Sequence, residues 1–461
     1  FNPPDTKEDV GITNILLEDN KMLCLKTGEE IRDGDIVEMR YNPEGLNGMV
    51  WEPLRLRNDK TDPNYKSVAD NVWKTISTPI TSDFIRGVSP YNVKKIQKNV
   101  KKSVDTGYYV SSNRTLETNV LAKYHNYIKT SLINGICSTF NKGIQYMDLS
   151  CGRGGDIQKY IQRDANPKFI LGLDISSNVS EACYRYYHER KDKPMAAFLV
   201  ADTSQNIMKG DCYENVEASE KEISHSQNML NILFNGRKPV PKEYKNIQKK
   251  YNNLGLEKFD VISSQFTFHY YFEDEGTFDG FMTNIKENIS PGGYFIGTCY
   301  DGGRLFDLLK TNGDQEFKDD NGELIYSIKK AYEIEDFTYD SGNVDNMFGQ
   351  KIDVFMESIG QTFSEYLVNF DFFRDYMEKN GFKLMSPTVK KRYSKIFKQN
   401  NITKGFGDFG KVIANLTEIR DDEEVLQDGG YYEKALDIIK PELEPLRLLS
   451  SLNNYFIFQK V

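Results

Sequence analysis

The segment Tyr146-Met-Asp-Leu-Ser-Cys-Gly-Arg-Gly-Gly-Asp-Ile157 constrains this chain more than any other. An apolar lead ending at Asp148 runs into a turn with glycines at 152, 154 and 155. Glycine lets a backbone turn sharply and lets a ligand approach it closely. Downstream, Phe169-Ile-Leu-Gly-Leu-Asp-Ile175 reads as a second strand, with Asp174 falling where a strand ends. A strand-tip acid about 20 residues after a glycine-rich strand-to-helix turn is a nucleoside-binding arrangement, because the carboxylate accepts both ribose hydroxyls. An ordinary tight βα turn would use the same glycines, so the ligand has to be read from the details of the turn.

Those details are selective. The spacing is G-x-G-G rather than the G-x-G-x-x-G of dinucleotide sites, and no phosphate-binding lysine followed by Ser or Thr closes the turn. With Asp148 just ahead of it, the pattern suits S-adenosylmethionine, a nucleoside with an amino-acid end and no phosphates. A helix is expected over Leu116 to Phe140, with strands at 145–149, 169–174, 197–201, 259–263 and 294–299, the last entered through Pro291-Gly-Gly293. Between the third and fourth of these lies a polar insertion, about 204–256, expected to be part helix and part surface loop. Residues 322–358 alternate like a hairpin, a helix is expected over 367–380, and Tyr455-Phe-Ile-Phe458 is a closing strand. A sheet with helices on both faces is the simplest way to bury these strands. Ahead of this region, residues 1–66 read as short strands and turns, and 67–114 as a connector ending in a basic cluster of Lys94, Lys95, Lys98, Lys101 and Lys102.

At 461 residues the chain has room for two or three domains. Its net charge of −9 is a weak objection to nucleic acid, since steering depends on local field and the lysine cluster is local. No apolar run approaches the roughly 18 residues of a membrane helix, and the N-terminus carries no signal-peptide core. Phe1 is not a natural start, so the chain is expected to be a fragment. Six cysteines with no C-x-x-C spacing argue against a zinc site and against a disulfide scaffold, and no metal is expected. Cys137, Cys151, Cys183 and Cys299 sit in apolar surroundings and are expected to be reduced core residues.

Two further stretches could carry chemistry. Val261-Ile-Ser-Ser-Gln265 leads into Phe266-Thr-Phe-His-Tyr-Tyr-Phe-Glu-Asp274, at the carboxyl end of a strand, where ligands lie in open α/β sheets. Rings at Phe266, Tyr270 and Phe272 could clamp a flat base, worth about 1–3 kcal/mol per stacked base, with His269 bonding to it. The same rings could equally be core packing. In Phe363-Ser-Glu-Tyr-Leu-Val-Asn-Phe370, Glu365 is expected to open a helix, where a carboxylate is favourable at the N-terminus. The sharper reading is that it accepts the N1–H and N2–H of guanine.

Here the sequence resembles the cap guanine-N7 methyltransferase family, in particular the methyltransferase region of multidomain mRNA capping enzymes of large cytoplasmic DNA viruses. Asp148-Leu-Ser-Cys-Gly-Arg-Gly-Gly-Asp156 matches that family's D-x-x-C-G-[KR]-G-G-D, and Gln265-Phe-Thr-Phe-His-Tyr-Tyr-Phe-Glu273 its Q-F-x-x-H-Y-x-F-E. Ser364-Glu-Tyr-Leu-Val368 matches P-E-[FY]-L-V with serine for proline, and Asn126-Tyr-Ile-Lys129 matches N-W-[IM]-K. The resemblance implies an α/β, Rossmann-like methyltransferase fold over 115–461 with a mostly parallel seven-stranded sheet. It further implies that Lys129, Asp148, Ser150 and Gly152 line the methionine end of S-adenosylmethionine, that Asp174 holds the ribose and Asp202 the adenine, that Asp156 also belongs to the cofactor site, and that Gln265 lies between cofactor and substrate. His269, Tyr270 and Glu365 would hold the cap guanine, as the residues closest to catalysis, with His125, Asn126 and Arg153 also on the capped substrate and Arg153 near its phosphates. His125 stands where the family has asparagine, and Asn453 or Asn454 where it has a cap-packing tyrosine, with Tyr455 the nearest ring.

Residues 51–64 resemble the last motif of RNA guanylyltransferases, at the end of an OB-fold, where Arg57, Asp59 and Lys60 would meet GTP phosphates. The K-x-D-G nucleophile of those enzymes is not in the 461 residues, so adduct formation is expected only of a longer protein. The resemblance also implies GpppN-capped RNA as substrate, a small stimulatory capping subunit and a viral RNA polymerase as partners, no membrane, and a place in the host cytoplasm and the virion. Guanine N7 is already a lone-pair nucleophile, so no general base is expected, and pH dependence should be confined to His269 near its reference pKa of about 6.5. An inactive RNA- or protein-binding methyltransferase-like subunit, or a methyltransferase with another target, are the competing readings.

Overall fold

The computed structural model describes residues 17–18, 21–41, 51–58, 60, 116–161, 167–188, 193–236, 238–319, 322–342, 344–357, 359–385, 387–392, 405–413, 432 and 435–461. The chain divides into two compact units, Phe1–Tyr108 and Tyr109–Val461. In the first, β1 (Leu17–Glu18) pairs antiparallel with β2 (Lys21–Met22), and β3 (Val37–Tyr41) with β4 (Trp51–Leu56). A bulge between Glu38 and Met39 lets Pro53 sit in the ladder. Arg57 lies 3.6 Å from Glu38. Asp59, the turn after Tyr41 and the basic connector lie outside the described residues.

The second unit opens with α1 (Leu116–Cys137) and builds the expected alternation: β5 (Ile144–Leu149), α2 (Ile157–Tyr160), β6 (Pro167–Asp174), α3 (Val179–His188) and β7 (Met195–Val200). It continues through α4 (Glu220–Phe234), α5 (Lys245–Tyr251), β8 (Phe259–Gln265), α6 (Glu275–Asn288), β9 (Ile289–Tyr300) and α7 (Gly302–Asn312). The sheet order β7-β6-β5-β8-β9 is parallel throughout, and β16 (Asn453–Lys460) joins it antiparallel to β9. The two short strands β14 (Phe382–Leu384) and β15 (Phe406–Asp408) share the outer edge of β16, so the seventh position of the sheet is split in two. This is the Rossmann-like methyltransferase fold. Strands buried on both faces need near-continuous apolar sequence, and every residue of β5 and β8 is buried. The turn at Pro291 to Gly293 is absorbed into β9 as a bulge, with register shifting between Phe259 and Val261 of β8.

Two elements depart from expectation. The insertion is less peripheral than its polarity suggests: α4, capped reciprocally by Ser219 and Glu222, buries Met229, Leu230, Ile232, Leu233 and Phe234, and Ser226 Oγ accepts the Val200 N–H at 2.9 Å. It is the crossover that returns the chain from β7 to β8. Glu365 does not open a helix. It lies in β13 (Gln361–Tyr366), the last strand of an antiparallel meander with β10 (Gln315–Lys318), β11 (Leu324–Lys330) and β12 (Lys351–Met356), and pairs with Ile352. The following helix, α8 (Phe370–Lys379), starts later and is capped by Asn369. The hairpin expected within 322–358 is β11 against β12. Cys137, Cys151 and Cys299 are buried as expected, whereas Cys183 is exposed on α3, with its sulfur 3.9 Å from the Phe198 carbonyl of β7.

Candidate active site

Chain order reverses at β5, where β6 and β7 run out on one side and β8 and β9 on the other, so a crevice opens at the carboxyl ends of β5 and β8. The turn after β5 holds Ser150 at φ 69°, Gly152 at 51° and Gly154 at 75°. A side chain at Gly154 would run into Ile157 Cδ1 and come within 3.1 Å of the Ala182 backbone of α3, so glycine there lets helix and turn close. At Gly152 a Cβ would meet nothing within 4 Å, leaving room for a ligand against the backbone. The Gly152 N–H donates to Asp174 Oδ2 at 2.7 Å, tying the turn to the tip of β6. Asp174 Oδ1 accepts from Ser176 N–H at 3.0 Å and Ser176 Oγ at 2.6 Å. Asp202, after β7, repeats this arrangement with Ser204, at 3.0 and 2.6 Å, while its Oδ2 accepts from Asn215 Nδ2 of the insertion at 3.1 Å. Both acids are buried, which strengthens any bond they make.

Behind the turn sits a charged cluster. Lys129 of α1 and Lys159 of α2 both place Nζ 2.7 Å from Asp156 Oδ1, and Lys159 also donates to the Gly155 carbonyl at 3.0 Å. Burial alone would raise the Asp156 carboxyl, but the two ammonium groups override it and hold it well below the usual carboxylate range. Asp148, buried beside them, goes the other way: burial and then the Asp156 charge push its carboxyl well above that range. Burial lowers the Lys159 ammonium, opposed by Asp156. Acid, ammonium and paired carboxylate thus meet where an amino-acid group would need both a donor and an acceptor.

On the other side of the crevice, Gln265 ends β8 with Nε2 donating to Ser263 Oγ at 2.9 Å and Oε1 accepting from Thr298 Oγ1 at 3.1 Å. Phe266 follows at φ 57°, a conformation that bulky residues avoid, with its N–H on the Thr298 carbonyl at 2.8 Å. Its ring stacks on His125 of α1 at 5.0 Å and 20°. His125 Nε2 lies 3.0 Å from Ser450 Oγ, and burial together with Lys129 lowers the imidazole pKa. His269 and Glu365, distant in sequence, face each other with His269 Nε2 3.5 Å from Glu365 Oε2. Both side chains are buried, and neither His269 ring nitrogen nor Glu365 Oε2 has a hydrogen-bond partner among the described residues. Burial lowers His269 to about 3 and raises Glu365 to about 8, so at neutral pH the pair is an imidazole facing a carboxylic acid rather than an ion pair.

The remaining expected residues divide. Tyr270 is half-buried beside His269, with ring centroids 4.3 Å apart. Phe272 is not a clamp: it is fully buried among Phe278, Phe348 and Phe372 and belongs to the core. Arg153 is drawn toward α3, with Nε 3.3 Å from Glu181. Asn126 contributes its carbonyl to Thr130 Oγ1 at 2.7 Å and is half-buried. Asn454 is committed to Asp301 (2.6 Å) and Arg304, Asn453 is buried at the start of β16, and Tyr455 is buried with its ring against Gly407. Sequence reasoning passed over Tyr271, Thr203, Lys159 and Asn215. The doubled D-x-S at Asp174-Ile-Ser176 and Asp202-Thr-Ser204 was a legible sign that both strand tips are built alike, whereas nothing in the sequence marks Lys159 as buried.

Comparison with known proteins places the chain in a family. Residues 93–434 match the mRNA (guanine-N(7))-methyltransferase domain family, and residues 5–85 match the mRNA capping enzyme C-terminal domain. Over 487 aligned residues the chain is 27% identical to the "Probable mRNA-capping enzyme" of Acanthamoeba polyphaga mimivirus, a match covering 97% of this chain and 38% of that protein. It is 26% identical over 265 residues to the mRNA cap guanine-N(7) methyltransferase of Candida glabrata, covering 58% of this chain and 53% of that one. An S-adenosylmethionine-dependent methyltransferase from Clostridium acetobutylicum of known structure is 14% identical, with 64% of this chain and 90% of that chain covered and a TM-score of 0.31. The chain spans less than two thirds of the length of either curated relative.

Proposed function

The chain belongs to the mRNA (guanine-N(7))-methyltransferase family, and from that premise we propose that the crevice at β5 and β8 methylates N7 of the guanine cap on GpppN-RNA through the residues described above. Its domain is a cap guanine-N7 methyltransferase whose cofactor is S-adenosylmethionine. The cofactor, when bound, supplies a methyl group on a sulfonium that carries its own leaving group. The residues present suit it. Asp174 keeps acceptor capacity for ribose hydroxyls, with the Ser176 hydroxyl free to rotate away. Asp202 has the same capacity for an adenine amine. Lys129, held by Asp156 at 2.7 Å, presents an ammonium to a carboxylate, and an incoming ammonium would offset the burial that pushes the Asp148 carboxyl up and draw it back toward the ionised acceptor form.

The single observation that carries the substrate reading is the buried, unpartnered pair His269 and Glu365. Leaving such groups unpaired costs about 1–3 kcal/mol each, a cost that persists only where a ligand relieves it. Guanine offers two adjacent N–H donors to a carboxylate, and a neutral histidine can donate to its carbonyl oxygen. Glu365 also stabilises the positive charge that N7 methylation places on the ring. Neither group has to remove a proton from N7, so these residues bind, orient and stabilise, and catalysis is mainly proximity. Gln265, at the strand end between the two halves of the crevice, lines the transfer path in this reading, and Tyr270 packs against the base. Arg153 would have to leave Glu181 to reach the cap phosphates.

In the same reading the N-terminal unit belongs to a guanylyltransferase whose nucleophile lies outside these residues, so the whole protein is a multifunctional capping enzyme, supported by the residues 5–85 match and the mimivirus relative. Action in the cytoplasm of an infected host, packaging into virions, and partnership with a small stimulatory subunit and a viral RNA polymerase belong to this proposal. No helix among the described residues is long and apolar enough to cross a membrane. The test is to offer purified protein GpppN-capped RNA and methyl-labelled S-adenosylmethionine, digest the product and locate the label. Label on a ribose 2′-oxygen, or on protein, would overturn the assignment.

A further inference from the structure

Three hydroxyl groups form a chain across the carboxyl ends of three strands. Ser150 Oγ, after β5, lies 2.7 Å from Tyr271 OH, after β8, and Tyr271 OH lies 2.6 Å from Thr203 Oγ1, after β7. Tyr271 is buried, and its ring lies flat on Phe281 of α6 with centroids 3.6 Å apart and planes at 18°. β5 and β7 are not neighbours. β6 separates them, so their tips are roughly 10 Å apart and no ladder hydrogen bond can join them. The Tyr271 hydroxyl is a direct tie between them. It also holds Ser150, which sits at φ 69° although it is not glycine. Asp174 ends the strand between the two tied tips, and Asp202 immediately precedes Thr203.

We propose that Tyr271 is a positioning residue for S-adenosylmethionine, its hydroxyl fixing the turn after β5 and the loop after β7 at the separation that an adenosine spanning Asp174 and Asp202 requires. The proposal rests on the cofactor reading given above. The chain has three hydroxyl protons and two links, so one proton remains to be donated beyond it. A ring without the hydroxyl would keep the Phe281 stack and lose the tie alone, which separates positioning from packing.

Tyr271→Phe is therefore the informative variant. Calorimetry with S-adenosylhomocysteine and with 5′-methylthioadenosine, which lacks the amino-acid end, should show both ligands weakened about 5- to 20-fold, the loss expected for one or two buried hydrogen bonds. In steady-state transfer the KM for S-adenosylmethionine should rise in step, while kcat at saturating cofactor and the KM for capped RNA stay within about twofold of the parent. Unchanged affinity for both ligands, or an equal loss in kcat and in the KM for capped RNA, would overturn the proposal. Should Tyr271→Phe fail to fold, Thr203→Val cuts one link and keeps the tyrosine, and unchanged cofactor affinity there would be equally fatal. A parent protein that binds neither ligand would instead sink the cofactor reading.

Discussion

Glu365→Gln should make the protein more stable and less active at once, and its pH dependence can be worked from the site. Burial raises the Glu365 carboxyl from 4.5 to about 8 in the folded protein. Between those values the unfolded chain gives up the proton and the folded chain keeps it, so stability is fully present below pH 4.5 and is lost as pH rises through about 8. The loss is at most about 5 kcal/mol, from 1.36 kcal/mol for each pH unit between the two values. Glutamine does not ionise, so the variant's melting temperature should exceed the parent's at pH 8.5 by several degrees, with the gap shrinking toward pH 5. Guanine binding needs the carboxylate. At pH 7 roughly one parent molecule in ten carries it, and apparent affinity falls by that fraction. The kcat/KM of the parent for capped RNA should then rise about tenfold from pH 7 to a plateau above pH 8. Glutamine keeps one acceptor and turns an amide donor toward a guanine donor, costing about 3 kcal/mol, or about 100-fold in kcat/KM at pH 8.5 and nearer tenfold at pH 7. Cofactor affinity by calorimetry should not move. A parent kcat/KM flat from pH 6 to 9, or a variant within twofold of parent at pH 8.5, would refute the reasoning. This replaces the expectation of a His269 titration near neutrality, because burial lowers that imidazole to about 3.

Three other outcomes are expected. Asp174→Ala removes the acceptor shared by the Gly152 N–H and the Ser176 hydroxyl, and should weaken S-adenosylmethionine at least about tenfold in calorimetry, with unchanged affinity removing Asp174 from the site. Gly154→Ala adds a methyl against Ile157 and Ala182 at φ 75° and should destabilise the fold by about 1–3 kcal/mol in urea unfolding, where a neutral result would mean that the turn can open. Incubation with α-labelled GTP and a divalent metal should leave no labelled band after denaturing electrophoresis, since no K-x-D-G lysine is present to form the adduct, and a surviving band would show that the nucleophile lies elsewhere in the chain.

Sequence alone was enough for everything that local chemistry dictates. A turn that needs positive φ and close approach must be glycine-rich, so the β5 turn was legible, and strands buried on both faces must be apolar runs, so the parallel sheet was too. The strand-tip acid Asp174 followed from the same logic, because a strand's end sets where its last side chain goes, whereas Asp202, two residues past the end of β7, came only from the family resemblance. Tertiary structure decided the rest. Glu365 looked like a helix-opening acid until pairing with Ile352 placed it in a strand opposite His269, a meeting set by how a separate meander packs beside β8. Phe272 and Tyr270 are indistinguishable as sequence, and only packing makes one core and leaves the other half-buried at the crevice. Lys159 is buried because Asp156 and the Gly155 carbonyl receive it, and Tyr271 matters because three strand ends converge on one hydroxyl. Such convergences depend on contacts between residues far apart in the chain, and periodicity records only which face a residue shows to its own neighbours.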